Sequence, residues 1–305
     1  MLLGADPEFF LVNDKYEIVN AISILPYCKK KPLKEKNFSF FYDNILAELN
    51  FKPAKNAREF SSAIAEAMAF FCGKIDPYKI SLQAYGEIDP KSMAGKNVNQ
   101  VGCEADLNAY TFSYNKVPLN AFKKYGQRSS GGHIHIGGFS DEVVCDPFLK
   151  PIYVYMLDLF IALPFVMLAN SVDEYKRRKI YGQAGCFRSK QYGIEYRTLS
   201  SFWIRSPETC SLVFDMVEFV NNFMEEGLHK KFWSTKESKT GSYNKNSYDC
   251  FGYDYQEVRK AINECDINIA KKYYKFISNF MPDSLLVKFE KEFFTACSPF
   301  FHTWH

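Results

Sequence analysis

The chain has 305 residues, 47% of them apolar, enough to bury a sizeable core in one large domain or two small ones. Its 38 basic and 35 acidic side chains nearly cancel, so no polyanion-binding surface is announced and nucleic acid is not an expected partner. Nine cysteines at wide spacing, with no C-x-x-C, argue against a disulfide framework or structural zinc and suit a reducing cytoplasm. The opening residues, MLLGADPEFFLV, reach two carboxylates before any signal-like apolar run, so no secretory signal is expected. They read as a strand, a turn at Asn13–Asp14–Lys15 and a returning strand, Tyr16 to Val19. Residues 27–37 (YCKKKPLKEKN) read as a solvated, charged loop, and a second strand runs through Ser39–Phe51 to close at Pro53. Asn56 then caps a helix to about Asp76, with Phe60, Ile64, Met68 and Phe71 on one face. Further strands are expected over Lys79–Tyr85, Cys103–Tyr110 and His133–Gly137.

Ile152 to Ala169 is an apolar run at the lower limit for spanning a bilayer. Asp158 near its middle and Pro164 within it favour a buried core helix, and no membrane contact is expected. A strand region from Cys186 to Ile204 follows, then a helix from Glu208 to Met224 opened by Pro207. Residues 234–248 are polar, and the last fifty residues read as two or three helices. The opening hairpin and the alternation within strands suit an antiparallel sheet, so the fold class expected is α+β. The whole chain, 1–305, is read as one domain: a motif-bearing core over 1–205 and a helical portion over 206–305.

Four segments place a polar residue, any residue, and a second polar residue on an expected strand. They are Asp6–Pro7–Glu8, Glu48–Leu49–Asn50, His133–Ile134–His135 and Glu195–Tyr196–Arg197. Positions i and i+2 of a strand share a face, so each pair presents two functional groups together. On neighbouring strands they would crowd carboxylates, imidazoles and a guanidinium onto one surface. Divalent cations relieve such repulsion, and an oxygen-rich set suits Mg2+ or Mn2+ better than zinc. An adjacent arginine implies a phosphate to be held, and the ensemble suggests phosphoryl transfer. Taken singly, each pair also reads as a turn or as ordinary exposed or paired strand residues. The histidines, set between Gly131–Gly132 and Gly137–Gly138, are the more pointed signal, because glycine lets a backbone approach a ligand closely. Glu104, Asp106 and Asn108 share a face of another strand and could hold an amine or an acid, or simply face solvent.

GADPEFFL at the start, AELN at 47–50, SGGHIHIGG at 130–138 and YGIEYRTLSSFW at 192–203 resemble the phage and bacterial carboxylate–amine ligases. These amidoligases are distant relatives of glutamine synthetase and glutamate–cysteine ligase. The resemblance implies a glutamine-synthetase-like domain: a curved antiparallel sheet with helices on its outer face and ATP entering a funnel. It implies Asp6, Glu8, Glu48, His133 and Glu195 as ligands of Mg2+ or Mn2+. His135, Arg178, Arg188 and Arg197 would bind nucleotide, with Arg188 and Arg197 acting on the transferred phosphate. Asn50, Glu104, Asp106 and Asn108 are left for substrate. The reaction implied joins a small-molecule or protein-side-chain carboxylate to an amine through an acyl phosphate, in the cytoplasm of a phage host if phage-encoded. A metal-dependent hydrolase using the two histidines, or a non-enzymatic phage protein retaining the fold, are the alternatives. Asp43 stands at odd spacing from Glu48 and is expected on the opposite face unless the strand bulges.

Overall fold

The computed structural model describes residues 1–88, 106–115, 126–139, 146, 148–169, 171–232 and 254–296. Glu104, the polar stretch 234–248 and the first three residues of the strand expected over Cys103–Tyr110 lie outside them. The architecture is a large antiparallel sheet with helices packed against one face.

The sheet runs β3 (Leu33–Lys34), β4 (Phe38–Asp43), β5 (Leu46–Ala54), β1 (Leu2–Val12), β11 (Gly132–Gly137), β13 (Gly193–Tyr196), β12 (Cys186–Lys190), β8 (Leu107–Asn108) and β9 (Ser113–Tyr114). The far half of β1 also pairs with β2 (Ile18–Val19) and β6 (Lys79–Ser81). A separate ribbon joins β7 (Tyr85–Glu87) to β10 (Gln127–Ser129). The strand expected over Lys79–Tyr85 is thus divided between β6 and β7.

The long second strand is also two strands. Asn44 adopts a left-handed backbone (φ +54°) and folds β4 back onto β5, with Asp43 opposite Leu46. Asn is among the residues that tolerate this conformation, and Asp–Asn is a turn pair. Residues 27–37 are not a free excursion either, since β3 lies within them and Cys28 bridges to Tyr42.

Helix α1 (Ala57–Ile75) begins where Asn56 Oδ1 accepts from Glu59 N at 2.9 Å. Its buried face, Phe60, Ile64, Met68 and Phe71, lies on the back of the sheet, with Phe71 5.2 Å from the Phe9 ring and 4.9 Å from that of Phe40. Burying each such side chain contributes roughly 1.5–3 kcal/mol. The apolar run forms α2 (Leu149–Leu157), which passes through a π-helical turn (Asp158–Ala162) into Leu163–Phe165. No helix among the described residues is long and apolar enough to cross a membrane. Asp158, fully buried, accepts a hydrogen bond from Tyr196 on the back of β13.

A helix not expected from the sequence, α3 (Ser171–Ile180), precedes β12. Then α4 (Pro207–Glu225) packs on α1, with Phe214 5.9 Å from Phe60. The C-terminal portion gives α5 (Tyr255–Glu264), α6 (Ile267–Ile277) and α7 (Asp283–Ala296).

Candidate active site

Residues directly opposite in an antiparallel pair share a face, and the register carries one face across the sheet. Glu8 faces Glu48, Asp6 faces His133, His135 faces Glu195, and Glu195 faces Arg188. Phe41 also faces Glu48, so Asp43, two residues on, joins this surface from β4. The odd spacing that seemed to exclude Asp43 is the length of a hairpin turn. Cys186 faces Asn108, which brings Asp106 and Asn108 to the same surface. The opposite face carries Phe9, Ile134, Ile194 and Tyr196, all fully buried. Alternation along each strand therefore separates chemistry from core.

Two groups of potential ligands form, each with donor atoms within 4.8 Å of one another: Asp6, His135 and Glu195, and Glu8, Asp43 and Glu48. Burial, then the charge of Asp43, pushes the Glu8 carboxyl up to about 8 against the pull of Arg197. Burial, then Glu8 and Asp6, raises Glu48 well above the usual carboxylate range. These acids cannot all ionise without an added positive charge. Asp6 Oδ1 is a buried atom with no hydrogen bond of good geometry, although it stands 3.2 Å from His133 Nδ1 and 3.0 Å from His135 Nε2. Crowded carboxyls with oxygen atoms turned toward one another are what a hard divalent cation fits.

The two histidines differ. His133 is 2% exposed, and its Nε2 is 2.8 Å from the Tyr181 hydroxyl. Burial, then the charge of Arg197, lowers it to about 4, so its ring is neutral at neutral pH. His135 is more open, carries Tyr192 on Nδ1, and it, not His133, clusters with Asp6 and Glu195. The flanking glycines serve packing. A Cβ at residue 131 would stand 2.2 Å from His133 Nε2, and one at 132 only 2.1 Å from the Ser200 carbonyl oxygen. The expected close approach is real, but its partners are protein.

The next strands hold a cation network. Arg197 is 2% exposed, with Nε 2.8 Å from Asp106, Nη1 on Glu195 and Nη2 on the Tyr181 hydroxyl. Arg188 stands 3.3 Å from Asp106 and 3.2 Å from Glu195, and Lys190 Nζ is 2.9 Å from the other Glu195 oxygen. Asp106 thus pairs with two arginines. Lys190 was missed, although Arg188–Ser189–Lys190 repeats the alternate-residue pattern used elsewhere; Tyr181 left no sequence signal.

The family model for phage phiEco32-like COOH.NH2 ligase-type 2 matches residues 88–283, more than half of the chain. The chain belongs to this family. A search of curated proteins returned no match. Among solved structures, a bifunctional glutathione synthetase from Pasteurella multocida aligns with a TM-score of 0.40 and 11% identity, over 97% of this chain and 51% of that one. The ligase chain thus spans about half the length of that synthetase, and a likeness this weak carries no argument.

Within this COOH.NH2 ligase, Asp6, Glu8, Asp43 and Glu48 precede the matched stretch, and β1, β4 and β5 bring them to it. Three more of the expected residues make hydrogen bonds within the protein. Arg178 is buried and donates to the carbonyls of Gly182 and Thr198, away from the nucleotide role expected of it. Asn108 donates to Ala184 O at 3.0 Å and accepts from Tyr110 N at 2.9 Å, so it caps a turn. Asn50 donates to Glu48 Oε1 at 3.1 Å. Arg177, fully buried, donates to Ser130 O, Thr198 O and Leu199 O at 2.7–2.8 Å, tying the entry of β11 to the exit of β13. Such multiply satisfied burial makes it a structural keystone.

Proposed function

We propose that this ligase is ATP-dependent and Mg2+- or Mn2+-requiring, joining a carboxylate to an amine through an acyl phosphate on a glutamine-synthetase-like sheet. The observation that carries this reading is the pair of carboxylate-rich triads on one face, with Arg197 and Arg188 on the strands beside them. Asp6, His135 and Glu195 would hold one ion, and Glu8, Asp43 and Glu48 a second. The bound ions would neutralise phosphate charge and align the terminal phosphoryl group.

A carboxylate is a poor acyl donor because oxide would have to leave; transfer of the γ-phosphoryl group to it creates a good leaving group. Arg197, held by Asp106, Glu195 and Tyr181, would set its positive charge against the charge that develops on the phosphoryl oxygens. Arg188 lies beside it, half-open to the face, and serves the same oxygens. The amine then attacks the acyl carbon, expelling phosphate and leaving an amide and ADP. His133 takes a positioning role in place of the ligand role expected of it, holding Asp6 and Tyr181 in line. A zinc hydrolase using both imidazoles would place them on one ion, whereas His135 and not His133 clusters with Asp6 and Glu195.

The test is a screen for ATP consumption against pooled carboxylates and amines with Mg2+ or Mn2+, reading products by mass spectrometry. Metal-dependent ADP together with a condensed product is expected. AMP with pyrophosphate, or equal nucleotide binding with and without metal, would contradict it.

A further inference from the structure

Lys29 is a charged residue at the edge of this face that neither the triads nor the arginine network uses. Backbone hydrogen bonds fix its place: Tyr42 N donates to Tyr27 O at 2.9 Å, and Lys31 N closes onto Cys28 O at 2.8 Å. Cys28 bridges Tyr42 in parallel, so Lys29 follows alongside Asp43 at the end of β4. Arg188, Arg197 and Lys190 are all spent on Glu195, whereas among the described residues the Lys29 ammonium has no hydrogen bond or close ion pair. Burial works against its charge, but Glu48, Asp43, Asp6 and Glu8 outweigh this and raise its pKa. This solvent-exposed side chain is thus attracted by four carboxylates at longer range.

We propose that Lys29 is a resident counter-cation of the Glu8–Asp43–Glu48 triad, which a divalent ion must displace in order to bind there. The inference rests on the reading of that triad as a cation site. An ammonium is a compact, hydrated point charge on a four-carbon stem, so it can neutralise the acids in the metal-free protein and swing away afterwards. An ion seated among the acids cancels their field and repels the lysine. Metal affinity at the triad is then the gain from the ion less the loss of the lysine. Removing the lysine should tighten metal binding, the reverse of what a residue supporting the metal would do.

The test titrates Mn2+ alone, without nucleotide, into the full chain and into Lys29→Met, Lys29→Arg and Glu48→Gln, with thermal melts of each metal-free protein. Lys29→Met should bind Mn2+ more tightly by about tenfold, on the scale of one charge acting on several part-screened acids. Its metal-free form should melt lower than the wild type, and Lys29→Arg should behave as wild type. Unchanged or weaker Mn2+ binding in Lys29→Met, with Glu48→Gln still impaired, would overturn the role of Lys29 and leave the metal reading intact. Wild-type affinity in Glu48→Gln would overturn the metal reading and the inference together.

Discussion

Gly131 and Gly132 are adjacent, yet different neighbours forbid a side chain at each. An added Cβ at 132 would meet the Ser200 carbonyl oxygen at 2.1 Å and its carbon at 2.4 Å, both backbone. At 131 it would meet the His133 ring, which is buried and hydrogen-bonded to Tyr181. Gly132→Ala should therefore cost stability, about 1–3 kcal/mol as for other overpacked sites. Gly131→Ala should cost stability as well and, unlike Gly132→Ala, weaken Mn2+ binding by moving the His133 ring off Tyr181 and Asp6. Equal Mn2+ affinity in the two variants would contradict this division. Asp158 offers a test by pH. Burial raises it to about 6 from an ordinary 3.8, opposed by the Tyr196 hydrogen bond. The folded state holds this proton more tightly than the unfolded chain does. Its contribution to stability is fully present below about 3.8 and lost as pH rises through about 6, roughly 3 kcal/mol in all. Asp158→Asn keeps an acceptor for Tyr196 and cannot ionise, so its melting temperature should gain on the wild type from pH 4 to pH 7. A constant difference across that range would mean that the acid is not held protonated.

At the scale of elements, α7 is latched to the body through Glu292, which is 5% exposed. Arg205 Nη2 donates to Glu292 Oε2 at 2.9 Å, and the Thr209 hydroxyl donates to the same oxygen. Glu292→Gln leaves Arg205 without its charge partner and should cost about 1–3 kcal/mol in denaturant melts; an unchanged midpoint would show that the latch is dispensable. Nothing in the sequence pairs residues 205 and 292, because such contacts depend on how distant elements dock. Local pattern carried further in the sheet. Asn56, the 3.6-residue stripe of α1 and the alternate polar pairs on β1, β5, β11 and β13 were legible, since capping and strand alternation are short-range properties. Asp43 was misplaced because the left-handed turn at Asn44 was read as continuous strand, which reversed its face. Arg178 binds backbone carbonyls here, and an arginine that does so looks in sequence like one that binds phosphate.

Across the whole molecule, one continuous face runs from Lys29 and Asp43 past both triads to Arg197, Arg188 and Asp106. Positive groups flank a carboxylate-rich middle, while the opposite face is the main core. That polarity suits a reaction in which cations gather anionic substrates, and it makes the order of events the central question. Once the screen supplies an acid and an amine, the acid can be labelled with oxygen-18 in its carboxylate and the released phosphate analysed by mass spectrometry. If phosphoryl transfer to the carboxylate comes first, one labelled oxygen should appear in the phosphate, and Arg197→Lys should slow its appearance because an ammonium lacks the planar two-point grip. Phosphate free of label, with all of it retained in amide and water, would mean that no acyl phosphate forms and would contradict the proposed reaction.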